Sequence, residues 1–249
     1  MKKVVFFSLL FVVMLVGTAC EKDKPGTDTP AIQGTAVTGK VTDANGAPLA
    51  AVKVVLEHTV WAGTYVFATT NEWGHYKAVL PKEPAGSWTA KSQLKRTAYG
   101  RDYTFDLAVD NTAPFTPAQA TTRNFTWKLS GPKPDGTGFY GAHVDVYQWG
   151  TDVSMTDVKL VFTPAAENSL IDGSTIAPFE RTVEDVAGTF MAQDIPIGTY
   201  SVKAVYPGKT LLLKNRHLEE QPAQSKPVVF GKSGYLGETE YNIEFWLSE

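Results

Sequence analysis

Residues 101–110 read RDYTFDLAVD. Apolar residues occupy every second position of this stretch, namely Tyr103, Phe105, Leu107 and Val109. Polar residues such as Asp102, Thr104 and Asp106 occupy the positions between them. Successive side chains of a β-strand point to opposite faces. The pattern therefore predicts a strand with one face in a core and the other in water.

The rest of the chain from Thr35 onward repeats this character. Short β-rich runs are broken by Gly, Pro and Asn, and no stretch shows a convincing 3.6-residue period. Residues 241–248 alternate in the same way and predict a closing strand at the C-terminus. Half-buried strands at such short spacing favour a β-sandwich, so the predicted fold class is all-β.

The chain also resembles itself. PAGSWTAK, residues 84–91, matches PIGTYSVK, residues 196–203. Each copy follows a Gly-x-aromatic segment and an earlier strand rich in Val, Lys and Leu, at residues 52–56 in the first half and 158–162 in the second. Ordered matches of this kind predict tandem sandwich modules. We place them at residues 34–129 and 130–249, because Gly, Pro and Asp cluster after residue 130.

The first module opens with an ordered string of motifs. It reads GKVTDANGAPLAAVKVVL at residues 39–56, then TTNEWGHY at residues 69–76 and Leu80-Pro81. The string contains two turn signals, one of which has Asn-Gly to supply positive φ. Over about residues 34–129, it is similar to the carboxypeptidase regulatory-like domain. That resemblance implies a transthyretin-like, seven-stranded sandwich that is itself non-catalytic and is common in surface proteins of Bacteroidetes. For the second module we expect a related transthyretin-like or Ig-like sandwich.

The N-terminus predicts an export leader. Lys2 and Lys3 precede an almost unbroken apolar run, residues 4–16, and small residues then lead to Cys20, the single cysteine of the chain. The run is shorter than the roughly 20 apolar residues that a membrane-spanning helix needs. Residues 1–19 therefore read as a signal peptide. They resemble a bacterial lipoprotein signal, which implies a lipid on Cys20; ordinary cleavage that leaves a free thiol is the alternative.

Residues 20–33 predict a flexible tether. The stretch from Glu21 to Pro30 is polar and prone to turns. A charged segment directly after the lipidated cysteine resembles the export signal of surface-displayed lipoproteins in Bacteroidetes-type bacteria. We therefore expect an outer-membrane protein that is anchored by the lipid on Cys20 and faces the cell surface or the periplasm.

The charge balance excludes one class of partner. The chain has 23 basic and 26 acidic residues and a net charge of −3 at pH 7, and removal of the leader would take away two lysines. The charge balance therefore predicts no positively charged surface that could bind a phosphate backbone, and we expect no nucleic-acid partner. With no second cysteine, the cores must hold without disulfides.

No constellation of residues predicts catalysis. The four histidines, at positions 58, 75, 143 and 217, show neither His-x-His nor His-x-x-x-His spacing. A nucleophile elbow and a phosphate-binding glycine loop are also missing. We therefore predict no catalytic residue, no metal, no cofactor and no enzymatic activity. A hydrolase or metal enzyme is the least favoured class.

One histidine has a carboxylate two positions away. Alternation along residues 141–149 sends Ala142, Val144 and Val146 inward, and it sends the other side outward, namely His143, Asp145, Tyr147 and Trp149. A metal-binding or proton-transfer pair of His143 and Asp145 is one interpretation. A polar sheet face with cross-strand pairing is the interpretation we favour, because alternation alone does not make a site.

Large aromatic residues in turns predict a binding surface. Trp61 lies in the turn at residues 59–64 and Trp73 in the turn at residues 71–74. Together with Tyr65 they form a candidate platform for a glycan or a surface protein, with Trp149 as an extension. In the alternative, these rings fold back over the sandwich edge as lids. Other large aromatics read as core by their alternation, namely Trp88, Trp127 and Tyr200.

These observations predict a non-catalytic surface lipoprotein that acts as a binding or accessory module in glycan capture or adhesion. A structural subunit that pairs with partners through its sheet edges is the alternative.

Overall fold

The computed structural model describes residues 35–82, 85–118, 120–167 and 169–249, which belong to one compact unit. The predicted leader, Cys20 and the whole predicted tether lie outside the described residues. Within the described part, no helix is long and apolar enough to cross a membrane.

The first half of the described chain forms two sheets. Its strands are β1 (Thr35–Thr42), β2 (Lys53–His58), β3 (Tyr65–Thr69), β4 (His75–Leu80), β5 (Trp88–Ala98), β6 (Arg101–Asp106), β7 (Ala108–Val109), β8 (Thr121–Thr122) and β9 (Phe125–Thr126). One sheet has the order β4-β1-β9-β7, with β8 also paired to β1, and the other has the order β3-β2-β5-β6.

The second half forms two further sheets. Its strands are β10 (Ala142–Gln148), β11 (Lys159–Pro164), β12 (Phe179–Thr182), β13 (Glu184–Val186), β14 (Thr189–Ile195), β15 (Thr199–Val205), β16 (Leu212–Asn215), β17 (Lys226–Val229), β18 (Gly231–Lys232) and β19 (Tyr241–Ser248). The sheet orders are β13-β14-β10-β19-β16, with β18 on β19, and β12-β11-β15-β17. A 3₁₀ turn, Met155–Asp157, precedes β11.

The two halves repeat one topology. In each half the first strand pairs antiparallel with a later strand, β1 with β4 and β10 with β14. It also pairs parallel with the last strand, β1 with β9 and β10 with β19. The second sheets match as well, since β3-β2-β5-β6 corresponds to β12-β11-β15-β17. The internal resemblance therefore reflects one plan of strand pairing used twice, and the predicted all-β fold is confirmed. The division into modules at residues 34–129 and 130–249 stays a prediction.

The core follows the predicted alternation. Tyr103, Phe105 and Leu107 are buried, and so are the alternate residues Tyr241, Phe245 and Leu247 of the closing strand. The three aromatics expected in the core are buried too, namely Trp88, Trp127 and Tyr200. Both faces of β19 are covered in places, because Asn242 and Ser248 are also buried.

Aromatic rings join the two halves. The Tyr241 ring lies 5.0 Å from the Tyr103 ring and 5.9 Å from the Phe105 ring, centroid to centroid. The Tyr103 hydroxyl donates to the Phe230 carbonyl at 3.0 Å, and the Tyr241 hydroxyl accepts from the Thr104 amide at 2.5 Å. Aromatic pairs contribute about 0.5–1.5 kcal/mol each beyond their buried area. The halves therefore share one hydrophobic core.

We expect Tyr103→Phe to lower the free energy of unfolding by about 1–2 kcal/mol, because the buried Phe230 carbonyl loses its donor. Urea denaturation followed by far-UV circular dichroism measures the change. Tyr65→Phe is the matched control, since this tyrosine is exposed and water can replace its hydroxyl. An equal effect of both variants would contradict this account of the junction.

The same variant reports on alkaline pH. Burial raises the pKa of Tyr103 to about 12, whereas an unfolded tyrosine titrates near about 10. The folded state therefore holds the Tyr103 proton more tightly than the unfolded state does. The contribution of this hydroxyl to the free energy of unfolding is complete below about pH 10 and declines as the pH rises toward 12. The stability difference between the wild type and Tyr103→Phe should shrink over that range; a constant difference would refute the assignment.

Candidate binding site

Two aromatic side chains of β3 form an exposed surface. Tyr65 and Phe67 are 44% and 55% exposed, and their rings stack at 6.0 Å between centroids. The Lys53 ammonium, on the neighbouring strand, lies 3.9 Å from the centroid of the Phe67 ring. Val66 and Ala68 point the other way and pack against the core. Alternation therefore holds the two rings outward on a strand whose opposite side is anchored.

Trp61 extends this surface at the start of β3. It is 57% exposed and lies in the loop that joins β2 to β3. We call Trp61, Tyr65 and Phe67 the hairpin face.

A buried histidine, His58, anchors the Trp61 loop through hydrogen bonds to its main chain. The His58 Nδ1 accepts the main-chain N–H groups of Val60 and Trp61, both at 3.1 Å. The ring packs edge-on against Trp88 at 5.0 Å. Gly86 allows this close packing, because a Cβ there would lie 2.6 Å from the His58 ring. Since Nδ1 is the acceptor, the loop requires this nitrogen to be unprotonated.

Trp73 lies at the other end of β3. It is 62% exposed, in a turn whose Asn71 side chain accepts N–H groups from Trp73 and His75. Gly74 has φ +76°, and a Cβ there would lie 2.5 Å from the Val41 carbonyl oxygen. Trp61 is four residues before β3 and Trp73 four residues after it. Trp61 and Trp73 thus lie in the two loops at opposite ends of β3, and the Trp61 loop leads directly into Tyr65.

Trp149 belongs to the second half. It follows β10, is 54% exposed, and has the Lys214 ammonium 5.9 Å from its ring centroid. Nearby, the Arg216 guanidinium lies 4.1 Å from the Tyr147 ring and 4.9 Å from the Trp246 ring. This is a second aromatic patch, on a different sheet from the hairpin face. More than half of each of the three tryptophans is exposed, which argues against the alternative in which these rings act as lids.

His143 and Asp145 are buried, so the prediction that they face outward into water is wrong. Their exposures are 7% and 0%. Tyr235, from the segment before β19, donates its hydroxyl to the Asp145 Oδ2 at 2.6 Å, and the Asn242 amide donates to the same oxygen at 2.9 Å. Burial raises the pKa of Tyr235, and the hydrogen bond to Asp145 and the charge of its carboxylate raise it further. Burial lowers the pKa of His143, against the opposing effect of the nearby Asp145 carboxylate.

This cluster has a structural explanation. The His143 Nε2 lies 3.6 Å from the Asp145 Oδ1, and Tyr235 covers the pair. Among the described residues, no group of three or more His, Cys, Asp or Glu side chains is placed to hold a metal ion. The arrangement ties the segment before β19 to β10, which matches the favoured interpretation of a polar sheet face with cross-strand pairing.

A groove runs beside the hairpin face across β2 and β5, with a volume of about 1260 Å³. Its lining includes the basic residues Lys53, Lys91, Lys95, Arg96 and Lys133, and the acidic residues Asp106 and Asp135. Lys91 is paired with Glu57 at 2.8 Å, and Lys133 with Glu240. Cations thus outnumber carboxylates along this groove although the chain as a whole is acidic.

Sequence reasoning missed two residues of these sites. Phe67 is two positions from Tyr65 on the same strand, so the period of two was the signal that could have found it. Tyr235 is distant in sequence from Asp145, and nothing local predicts that it covers the pair.

Comparison with known proteins gives no family. No family model matches the chain, and no curated protein matches it. The resemblance of residues 34–129 to the carboxypeptidase regulatory-like domain therefore stays a prediction.

Several solved structures are similar over most of the chain. The Bacillus anthracis TIE protein has a TM-score of 0.34 and 8% identity, and the match covers 86% of this chain and 34% of that one. A streptococcal ancillary pilin gives 0.27 and 14%, covering 86% and 63%. The pilus adhesin SpaC of Lactobacillus rhamnosus GG gives 0.29 and 11%, covering 86% and 28%. The chain thus spans about a third of the TIE protein. With TM-scores in this range, the fold assignment comes from the strand pairing described above.

We expect His58→Leu to lower the free energy of unfolding by about 1–3 kcal/mol, because two main-chain N–H groups lose their acceptor. The Trp61 loop should also become more open to proteases. Urea denaturation and limited proteolysis measure the two effects. His75→Leu is the control, as His75 is exposed on β4. Unchanged cleavage within residues 59–64 would contradict the anchoring role.

Proposed function

We propose that this chain is a non-catalytic binding protein of the bacterial cell surface that contacts a glycan through the hairpin face. The observation that carries the proposal is that Trp61, Tyr65 and Phe67, each between 44% and 57% exposed, lie on one hairpin. Exposed aromatic clusters of this kind mark interaction sites more often than isolated exposed rings do. Tyr and Trp also give a large contact area at a small loss of conformational entropy.

Preorganisation supports the proposal. The rings project from a strand whose inner side chains are packed in the core, and His58 fixes the loop that carries Trp61. A ligand that stacks on these rings would order few groups on binding. The adjoining groove, lined by Lys53 and Lys95 among others, adds cations that acidic sugars could use. A test panel should therefore contain both neutral and acidic polysaccharides.

In native affinity gels, we expect the protein to be retarded by at least one polysaccharide of the panel. The double variant Trp61→Ala/Phe67→Ala should bind at least about tenfold more weakly, because it removes rings at both ends of the hairpin face. Trp73→Ala and Trp149→Ala are matched controls, because these two tryptophans are similarly exposed but lie outside the hairpin face. Both variants should keep most of the retardation. Retardation by no polymer, or equal losses in all variants, would refute the glycan site.

We further propose that Cys20 carries a lipid that anchors the protein to the outer membrane. The support is the sequence of residues 1–20, in which a basic start and an apolar run lead to the single cysteine. Cys20→Ala should move the protein from the membrane fraction to the soluble fraction, as measured by immunoblotting. Ser8→Ala, which leaves the cysteine in place, is the control. Retention of Cys20→Ala in the membrane would overturn the anchor.

Assembly through sheet edges is a second candidate function. The observation in its favour is the edge of β3, which pairs only with β2 among the described strands.

A further inference from the structure

β3 presents a free row of main-chain hydrogen-bonding groups. In an antiparallel pair, alternate residues exchange both main-chain bonds with their partner. The bond from the His58 N–H to the Thr64 carbonyl sets this alternation for β2 and β3. It directs the N–H and C=O groups of Tyr65, Phe67 and Thr69 away from β2. Within the described residues, no turn, loop or side-chain hydrogen bond reaches these groups.

The other edge strands are protected, whereas β3 is not. Proteins guard exposed edges with charges, proline or very short strands. Among the described edge strands longer than two residues, every one except β3 has a charge or a proline: Lys77 in β4, Arg101 in β6, Glu180 in β12, Glu184 in β13, Lys214 in β16 and Pro227 in β17. β3 reads YVFAT and is uncharged. Its composition is also typical of strands that pair well.

We propose that two copies of this chain pair through β3, antiparallel, about a two-fold axis at Phe67. In that register Phe67 faces its own counterpart, and Tyr65 faces Thr69 of the second copy. Each of these residues then donates and accepts one main-chain hydrogen bond, so the free row is fully used. The half-buried Val66 and Ala68 also face each other, which keeps the inner side of the extended sheet apolar.

A second copy fits this edge better than an arbitrary strand. The sequence of β3 is self-complementary about its centre, with aromatic and β-branched residues in every cross-strand position except the one that Ala68 occupies. Although the chain is acidic, β3 brings no like charges together across the axis. Lys53, which lies over the Phe67 ring, belongs to β2 and not to the edge strand itself. An isologous contact of this type closes as a dimer.

The dimer would leave the hairpin face exposed and double it. Pairing uses the edge of β3, whereas ligand binding uses the rings that project from its face. The inference is therefore independent of the glycan proposal, and either can fail alone.

Cysteine cross-linking of the purified full-length chain tests the register. Phe67→Cys should give a disulfide-linked dimer under mild oxidation, because Cα atoms in such a pair lie about 5.5 Å apart, within the range of a disulfide. Tyr65→Cys alone should not cross-link, since the two sites would be about 13 Å apart along the strands. A mixture of Tyr65→Cys and Thr69→Cys chains should cross-link. Wild-type protein controls for Cys20.

A charge variant tests the dimer without cross-linking. Phe67→Lys places two ammonium groups across the axis and should raise the dimer dissociation constant at least about tenfold in sedimentation velocity. Thr163→Lys adds the same charge at an exposed site of the central strand β11 and should leave the dimer intact. Circular dichroism confirms that both variants fold. A monomer at all concentrations, a dimer that Phe67→Lys leaves unchanged, or equal cross-linking at positions 65 and 67 would each overturn the proposal.

Discussion

Parallel pairing of the first and last strand closes each sandwich, and the other strands depend on it. β1 lies beside β9 with Val41 opposite Phe125, and β10 lies beside β19 along its whole length. Parallel neighbours cannot be joined by a tight turn, so the chain between them must leave the sheet and return. Here that connection builds the second sheet. Each half is complete only when its last strand is in place, and in the second half that strand also brings Tyr241 to the junction.

The hairpin of β2 and β3 combines a side that packs in the core with a side that is largely exposed. β2 lies inside its sheet, between β3 and β5, while the buried His58 holds the connecting loop. This support lets the hairpin present large rings without collapse onto the core. The same strand has two different free surfaces, the face of its side chains and the edge of its main chain. A ligand that stacks on rings and a strand that pairs along an edge need different chemistry, so both can use β3.

Much of this fold was open to prediction from local patterns. The period of two in residues 101–106 and 241–248 identified buried faces. Alternate side chains of a strand share one face, and a face of apolar side chains packs in the core away from water. The internal match of residues 84–91 and 196–203 pointed to two halves on one plan. The candidate site was less predictable. Trp61 and Trp73 looked like one platform in sequence, but β3 separates the loops that carry them.

Residue spacing and side-chain chemistry were enough to predict the all-β class and the internal repeat. They left open whether Trp61 and Trp73 stay exposed or fold back as lids, and the structure shows both rings exposed. Tertiary structure alone decided which polar residues are covered and which strand is an edge. Tyr235 reaches Asp145 from a distant segment and donates a hydrogen bond to it, and β3 is an edge because β2 is its only hydrogen-bonded neighbour among the described strands. Such outcomes depend on contacts between residues far apart in the chain, and local patterns contain no information on those contacts.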